Sequence, residues 1–204
     1  PNHPLTLRLL EQLDFPLAAP SANPFGCISP TRAEHVESYF AKEKPFILDG
    51  GDCQKGVEST IVGFEGEHPV LYRHGALAME ALEAIVGKIT VRNDHKKILA
   101  PGMMDKHYAP KTPTLVTDDI TALLDQNRGK NIGLLTFLGP KWESGVKQHE
   151  VLSETGNFDE AARKLYAALH RLDGNKLDLI IAEKFPERDL GLTINDRLRR
   201  AATP

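Results

Sequence analysis

Apolar side chains recur at two spacings along the chain, and the alternation of the two predicts its elements. Leu5, Leu7, Leu9, Leu10 and Leu13 fall at roughly helical intervals behind Pro4, whose fixed φ suits a first helical turn, and predict a helix over 4–13. Phe15-Pro16-Leu17-Ala18-Ala19 is short, apolar and stopped by Pro20, the pattern of a buried strand that delivers Ser21 and Asn23 at its end. Ser29-Pro30-Thr31 opens a helix over 31–41, with Thr31 and Glu34 at capping-box spacing. Pro45-Phe46-Ile47-Leu48-Asp49 predicts a second buried strand, broken by Gly50-Gly51. Residues 58–63 and 69–73 read as a strand pair around Glu65-Gly66-Glu67-His68, followed by a helix near 77–86 and a strand over 88–92.

Periodicity is lost over 93–113, where Pro101, Gly102, Pro110 and Pro113 predict an ordered linker. Beyond it the pattern alternates: strand 114–116, helix 120–126, strand 131–137, helix 158–172, strand 177–182 and helix 191–202. Such alternation implies a small parallel sheet covered on both faces. The expected organisation is therefore α/β throughout, with one domain over 1–95, a linker or lid over 96–113 and a smaller α/β domain over 114–204.

Composition narrows the partners. The 204 residues are 41% hydrophobic and 26% charged with a net charge of -3, so no broad positive field exists to hold a polyanion non-specifically. No apolar run approaches the roughly 18 residues a membrane span needs, and Pro1-Asn2-His3-Pro4 begins no signal sequence, so a cytoplasmic protein without membrane contact is expected. Cys27 and Cys53 lack CxxC spacing and read as thiols in a reducing compartment.

Four constellations carry candidate chemistry. In Pro20-Ser21-Ala22-Asn23-Pro24 through Ser29-Pro30-Thr31, a hydroxyl and an amide at a strand's end face a helix start, a natural place for phosphate or ribose oxygens; a loop with purely structural Ser and Asx caps is the alternative. Asp49-Gly50-Gly51 through Gly56-Val57-Glu58-Ser59-Thr60 has the glycine spacing of a P-loop, but Val57 and Glu58 stand where Lys and Ser/Thr are required. What remains is a turn feeding a strand whose Ser59 and Thr60 either hold a small polar substrate or only extend the strand. Tyr72-Arg73-His74-Gly75 places an arginine suited to phosphate, or to a surface ion pair, ahead of a helix. Met103 through Lys111 gathers Asp105, His107, Tyr108 and Lys111 in a proline-stiffened loop, a lid or a polar tether; Asp105 and His107 alone are too few for a metal site.

Taken in order, Ala19-Pro20-Ser21-Ala22-Asn23, Ser29-Pro30-Thr31, Ile47-Leu48-Asp49-Gly50-Gly51, Gly56-Val57-Glu58-Ser59-Thr60, Tyr72-Arg73-His74-Gly75 and Ala100-Pro101-Gly102-Met103 through His107-Tyr108-Ala109-Pro110 closely resemble the YrdC-like threonylcarbamoyl-AMP synthases, in their long form with an extra C-terminal domain. The resemblance implies the C-terminal part of a YrdC-like twisted-sheet domain followed by a small Rossmann-like parallel-sheet domain. It implies synthesis of threonylcarbamoyl-AMP from L-threonine, bicarbonate and ATP with Mg²⁺, releasing pyrophosphate, for the downstream tRNA threonylcarbamoyl-transfer machinery. By resemblance, Ser21 and Ser59 would hold threonine, Asn23, Ser29 or Thr31, and Arg73 would hold ATP, and Tyr108 with His107 would belong to a linker closing over the nucleotide. No catalytic side chain is implied, because a carbamate oxygen attacking the α-phosphorus needs positioning and charge stabilisation rather than a protein nucleophile.

The family's basic Lys/Arg motif, which belongs to the front half of its catalytic domain, is not found in these residues, so the 204 residues alone are expected to lack synthase activity and to bind ATP weakly. The rival expectation is an RNA-binding, translation-associated module without catalysis, with possible contact to double-stranded RNA; the acidic net charge disfavours it.

Overall fold

The computed structural model describes residues 1–92, 107–139 and 145–203. It is a mixed α/β structure with a small twisted sheet and a parallel four-stranded sheet. The N-terminal portion opens with helix α1, Pro4–Leu10, and helix α2, Ala33–Tyr39. Strands β1, Ile61–Glu65, and β2, His68–Arg73, form an antiparallel hairpin whose turn is Gly66 with φ +63°. Helix α3, Met79–Val86, then returns the chain so that β3, Thr90–Val91, pairs parallel to β2.

The C-terminal portion contains β4, Thr114–Thr117; α4, Ile120–Gln126; β5, Ile132–Thr136; β6, Gln148–Val151; α5, Phe158–Asp173; β7, Leu179–Glu183; and α6, Gly191–Ala201. Its strands lie in the order β4-β7-β5-β6, all parallel. Every residue of β5 is buried, as a strand covered on both faces requires. On one face Ile132, Leu134, Leu179 and Ile181 pack against Ile120, Leu123 and Leu124 of α4. On the other, α5 and α6 supply Leu165, Leu169, Ile194 and Leu198, and this core also takes in Ile28 and Tyr108 from outside the sheet. Asp119 and Asn157 cap α4 and α5 by accepting from Ala122 N–H and Glu160 N–H.

Three features depart from the pattern read in the sequence. The segments 15–19 and 45–49 form no ladder, and Phe15, Leu17 and Phe46 are 55%, 53% and 94% exposed; an apolar run becomes a strand only where a neighbour accepts its backbone hydrogen bonds, and among the described residues none does. Strand β6 was not legible, because Gln148, His149, Glu150 and Val151 are all half-buried at a sheet edge and carry no apolar alternation. Thr31 does not cap α2: the helix starts at Ala33 behind Arg32, the Thr31 N–H is directed at His35 Nδ1, and the Thr31 hydroxyl is buried. Linker residues 93–106, including Asp105, lie outside the described residues.

Candidate functional site at the junction of the two portions

The polar residues singled out in the sequence sit on four segments: the loop 20–31, the entry to β1, the end of β2, and residues 107–110. Arg73, at the end of β2, reaches across to the entry of β1, where its Nε and Nη2 donate to the Ser59 carbonyl at 3.1 and 2.9 Å, and Nη2 donates to Ser59 Oγ at 3.2 Å. This contact depends on Gly75: a Cβ there would lie 2.2 Å from Thr60 N and 2.3 Å from the Ser59 carbonyl carbon. Thr60 is committed elsewhere, its hydroxyl accepting from Leu77 N–H and donating to the Leu77 carbonyl, both at 3.0 Å.

Asn23 is held inside its own loop, its Nδ2 donating to the carbonyls of Pro24 and Cys27. Those carbonyls require the amide's N–H end, which leaves Asn23 Oδ1 as a buried acceptor without a partner. That polarity differs from the donor role the sequence suggested: an acceptor suits a ligand hydroxyl or ammonium better than a phosphate oxygen. Segment 107–110 is strapped to the same loop by a bridge between Cys27 and Ala109, with Ala109 N–H donating to the Gly26 carbonyl at 2.8 Å. Here Tyr108 takes φ +61°, a left-handed conformation that costs a non-glycine residue on the order of 1–3 kcal/mol and persists only where the surroundings impose it.

The surroundings of Tyr108 are unlike those of an open lid. Its ring is 1% exposed, stacks on Tyr166 at 5.5 Å and lies under the Arg197 guanidinium at 4.9 Å. His107 packs edge-on against it at 4.0 Å. Burial, opposed by Glu58, holds the His107 imidazole below its ordinary pKa, and burial likewise pushes the Tyr108 phenol up, so both are neutral at neutral pH.

Two residues that sequence reasoning passed over join these segments. Glu58 is the acceptor of a network in which Ser29 Oγ donates to Oε1 at 2.8 Å, Tyr166 OH to Oε2 at 2.9 Å and Arg197 Nε to Oε2 at 3.0 Å. Arg197, on α6 and wholly buried, also donates through Nη2 to the His74 carbonyl and through Nη1 to Asp196, each at 2.7 Å. Burial alone would raise the Glu58 carboxyl, but Arg197 and the Ser29 hydroxyl outweigh it and hold the group ionised. Burial also works against the Arg197 charge; the neighbouring Tyr166, Tyr108, Glu58 and Asp196 more than compensate. The signal for Arg197 was present in the sequence: it occupies the core-facing stripe of α6 with Ile194, Leu198 and Ala201, at spacings of three and four where an apolar residue is the rule.

The structure thus brings Ser59 and Arg73 into contact, and His107 and Tyr108 onto the loop of Asn23. Ser29 is buried with its hydroxyl donated to Glu58, while Ser21 is exposed and makes none of these contacts. Beside Arg73, a cavity of about 780 Å³ opens between the β2–β3 edge and α6, its wall including His74, Arg92, Lys184, Asp196 and Arg199. Among the described residues no helix is long and apolar enough to cross a membrane, and no group of three His, Cys, Asp or Glu side chains is placed to hold a metal.

Comparison with known proteins shows the family of the chain. A family model described as "Threonylcarbamoyl-AMP synthase, C-terminal domain" matches residues 77–203, and one described as "Telomere recombination" matches residues 1–75. The threonylcarbamoyl-AMP synthase of Bacillus subtilis (strain 168) is 38% identical, covering 99% of this chain and 61% of its own length. The crystal structure of P. abyssi Sua5 complexed with L-threonine superposes with a TM-score of 0.86 at 33% identity, over 99% of this chain and 62% of that one. A P. abyssi Sua5 variant in which an adjacent His and Tyr are both replaced by alanine superposes with a TM-score of 0.81 at 31% identity, over 99% and 61%. The chain therefore spans a little over three-fifths of the length of these relatives. With one family model covering more than half of it and both of its portions matched, the chain belongs to the YrdC-like Sua5 family of threonylcarbamoyl-AMP synthases.

Proposed function

We propose that this chain forms one wall of an L-threonylcarbamoyladenylate synthase site. In the reaction the threonine amine and bicarbonate give a carbamate and water; a carbamate oxygen then attacks the α-phosphorus of ATP, and the bond to pyrophosphate breaks. The product would carry the threonylcarbamoyl group to the downstream tRNA-modifying machinery, in the cytoplasm.

One observation carries the reading. Among the described residues, the buried side-chain atoms without a hydrogen-bond partner are Asn23 Oδ1, Thr31 Oγ1, His107 Nδ1 and Tyr108 OH. A buried polar atom left unpaired costs about 1–3 kcal/mol, so four of them on two adjoining segments mark a surface that a polar ligand completes. All four belong to residues whose motifs suggest nucleotide contact. The wall of the adjacent cavity carries Arg73, Arg92, Lys184, Arg199 and Arg200 against the carboxylates of Glu187, paired with Lys184, and Asp196, bound to Arg197, Arg199 and Arg200, so cations outnumber carboxylates there and favour an anion. The relative whose structure holds L-threonine supports the substrate, and the relative with its His-Tyr pair replaced bears on His107-Tyr108, the one such dipeptide in these 204 residues.

In this reading Ser59, oriented by Arg73, and Ser21 hold threonine; Asn23, Thr31, Arg73, His107 and Tyr108 hold ATP; and Ser29 enters through Glu58. Mg²⁺ belongs with the substrate, carried on the triphosphate. Pyrophosphate release by the complete protein tests the assignment: Ser21→Ala, Asn23→Ala and Arg73→Ala should each slow the threonine-dependent rate, and near-normal rates in all three would overturn it. A salt-dependent tRNA gel shift without threonine-dependent release would favour an RNA-binding role instead.

A further inference from the structure

We infer that Arg197 is a positioning residue through which helix α6 of the C-terminal portion sets the geometry of the synthase site; the inference rests on the function just proposed. The guanidinium touches three separate segments, and each adjoins a site residue. Its Nε holds Glu58, the neighbour of Ser59; its Nη2 holds the His74 carbonyl, the neighbour of Arg73; and its face covers the ring of Tyr108. The entry of β1, the end of β2 and the linker are thus fixed to one rigid, planar group on a helix that carries none of the proposed substrate contacts.

The surrounding contacts reinforce this arrangement. Tyr166 and Ser29 complete the shell of Glu58, and Thr193, one turn earlier on α6, donates to the Gly75 carbonyl at 2.9 Å. Asp196 offsets part of the charge and is itself bound to Arg199 and Arg200. A buried ion pair adds little net stability over apolar side chains of the same volume, so what the guanidinium contributes is geometry. A lysine keeps the charge but has no planar fork and cannot hold the Glu58 carboxylate, the His74 carbonyl and the Tyr108 face together.

Steady-state pyrophosphate release by the complete protein, with threonine and ATP varied, tests this on wild type, Arg197→Lys, Arg73→Ala and the double variant. Expected is a folded Arg197→Lys protein with a cooperative melt and a kcat/KM for threonine lowered by about tenfold or more, the scale of a misplaced contact. The double variant should lose less than the product of the two single losses, because Arg197 acts through the segment that Arg73 also holds. A purely structural role would lower the melting temperature and leave the folded protein's kcat/KM within about twofold of wild type; that result, or independent multiplication of the two losses, would overturn the inference. Should Arg197→Lys fail to fold, Glu58→Gln keeps the shape and removes the charge that Arg197 holds, and wild-type kcat/KM in that variant would overturn it equally. Absence of threonine-dependent release from the unsubstituted protein would instead sink the functional reading on which it rests.

Discussion

Replacing Gly75 by alanine isolates the contact that seats Ser59. The glycine's φ lies outside the left-handed region, so alanine can adopt its backbone and the whole effect is steric. The added methyl would sit 2.2 Å from Thr60 N, 2.3 Å from the Ser59 carbonyl carbon and 2.5 Å from its oxygen. Ordinary carbon contacts begin near 3.5 Å, so the strand entry must retreat by about 1 Å, and all three atoms are backbone with no rotamer to yield. Overpacking of this kind costs about 1–3 kcal/mol, which for a protein of this size lowers the melting temperature by roughly 2–12 °C. The same displacement moves Ser59 away from its place beside Arg73, and a misplacement of about 1 Å can cost on the order of 100-fold in rate. Thermal melts and threonine-dependent pyrophosphate release, both on the complete protein, read the two consequences separately. Gly66→Ala is the control: it strains a turn at φ +63° but meets no atom within 4 Å, so it should lower stability and leave kinetics unchanged. Wild-type melting and kinetics in Gly75→Ala would show that the entry of β1 does not depend on the close approach of Gly75.

Tyr166→Phe removes a buried hydroxyl that donates to the Glu58 carboxylate at 2.9 Å and should cost about 1.5–3 kcal/mol by urea denaturation; a loss below about 0.5 kcal/mol would mean that Ser29 and Arg197 satisfy Glu58 without it. His35 and His170 stack at 3.7 Å where α2 meets α5, and burial, then the charge of His170, lowers the His35 imidazole to about 4. A histidine depressed in the folded state binds protons first when unfolded, so its contribution is complete above pH of about 6.5 and is lost as pH falls toward 4. His35→Gln should flatten the dependence of melting temperature on pH in that window, and an unchanged slope would count against it. Asn23→Asp places a carboxylate against the carbonyls of Pro24 and Cys27, so it should weaken ATP binding by calorimetry in the complete protein more than Ser21→Ala does; the reverse order would contradict the inward orientation of the amide.

The sequence revealed what depends on local spacing and hid what depends on neighbours. Helix α4 and the strand and helix alternation of the parallel sheet followed from periodicity, because each of these elements turns an apolar stripe toward the sheet core, α4 with the partly buried Ile120, Leu123 and Leu124. Phe15, Leu17, Phe46 and Leu48 have the apolarity of buried strands, yet burial is a property of what lies alongside, and in these 204 residues they remain exposed. Strand β6 was hidden for the opposite reason: Gln148 and Glu150 are held at the sheet edge by Asn175, just beyond α5, and by Arg171 on α5, partners remote in sequence. At the site, Ser59 and Arg73 stood out by residue type and position. Glu58 reads in sequence as the residue that spoils a P-loop, and Arg197 shows there only as a charge on the apolar stripe of α6; that the two, 139 residues apart in sequence, meet at 3.0 Å is a property of the fold.

Incubating the complete protein with L-threonine, carbon-13-labelled bicarbonate, ATP and Mg²⁺, and examining the nucleotide products by mass spectrometry, tests the proposed synthase reaction at its product. Expected is a labelled threonylcarbamoyl adenylate that forms in step with pyrophosphate and disappears when threonine is omitted. Pyrophosphate release that is indifferent to threonine, or a nucleotide product without the label, would contradict it.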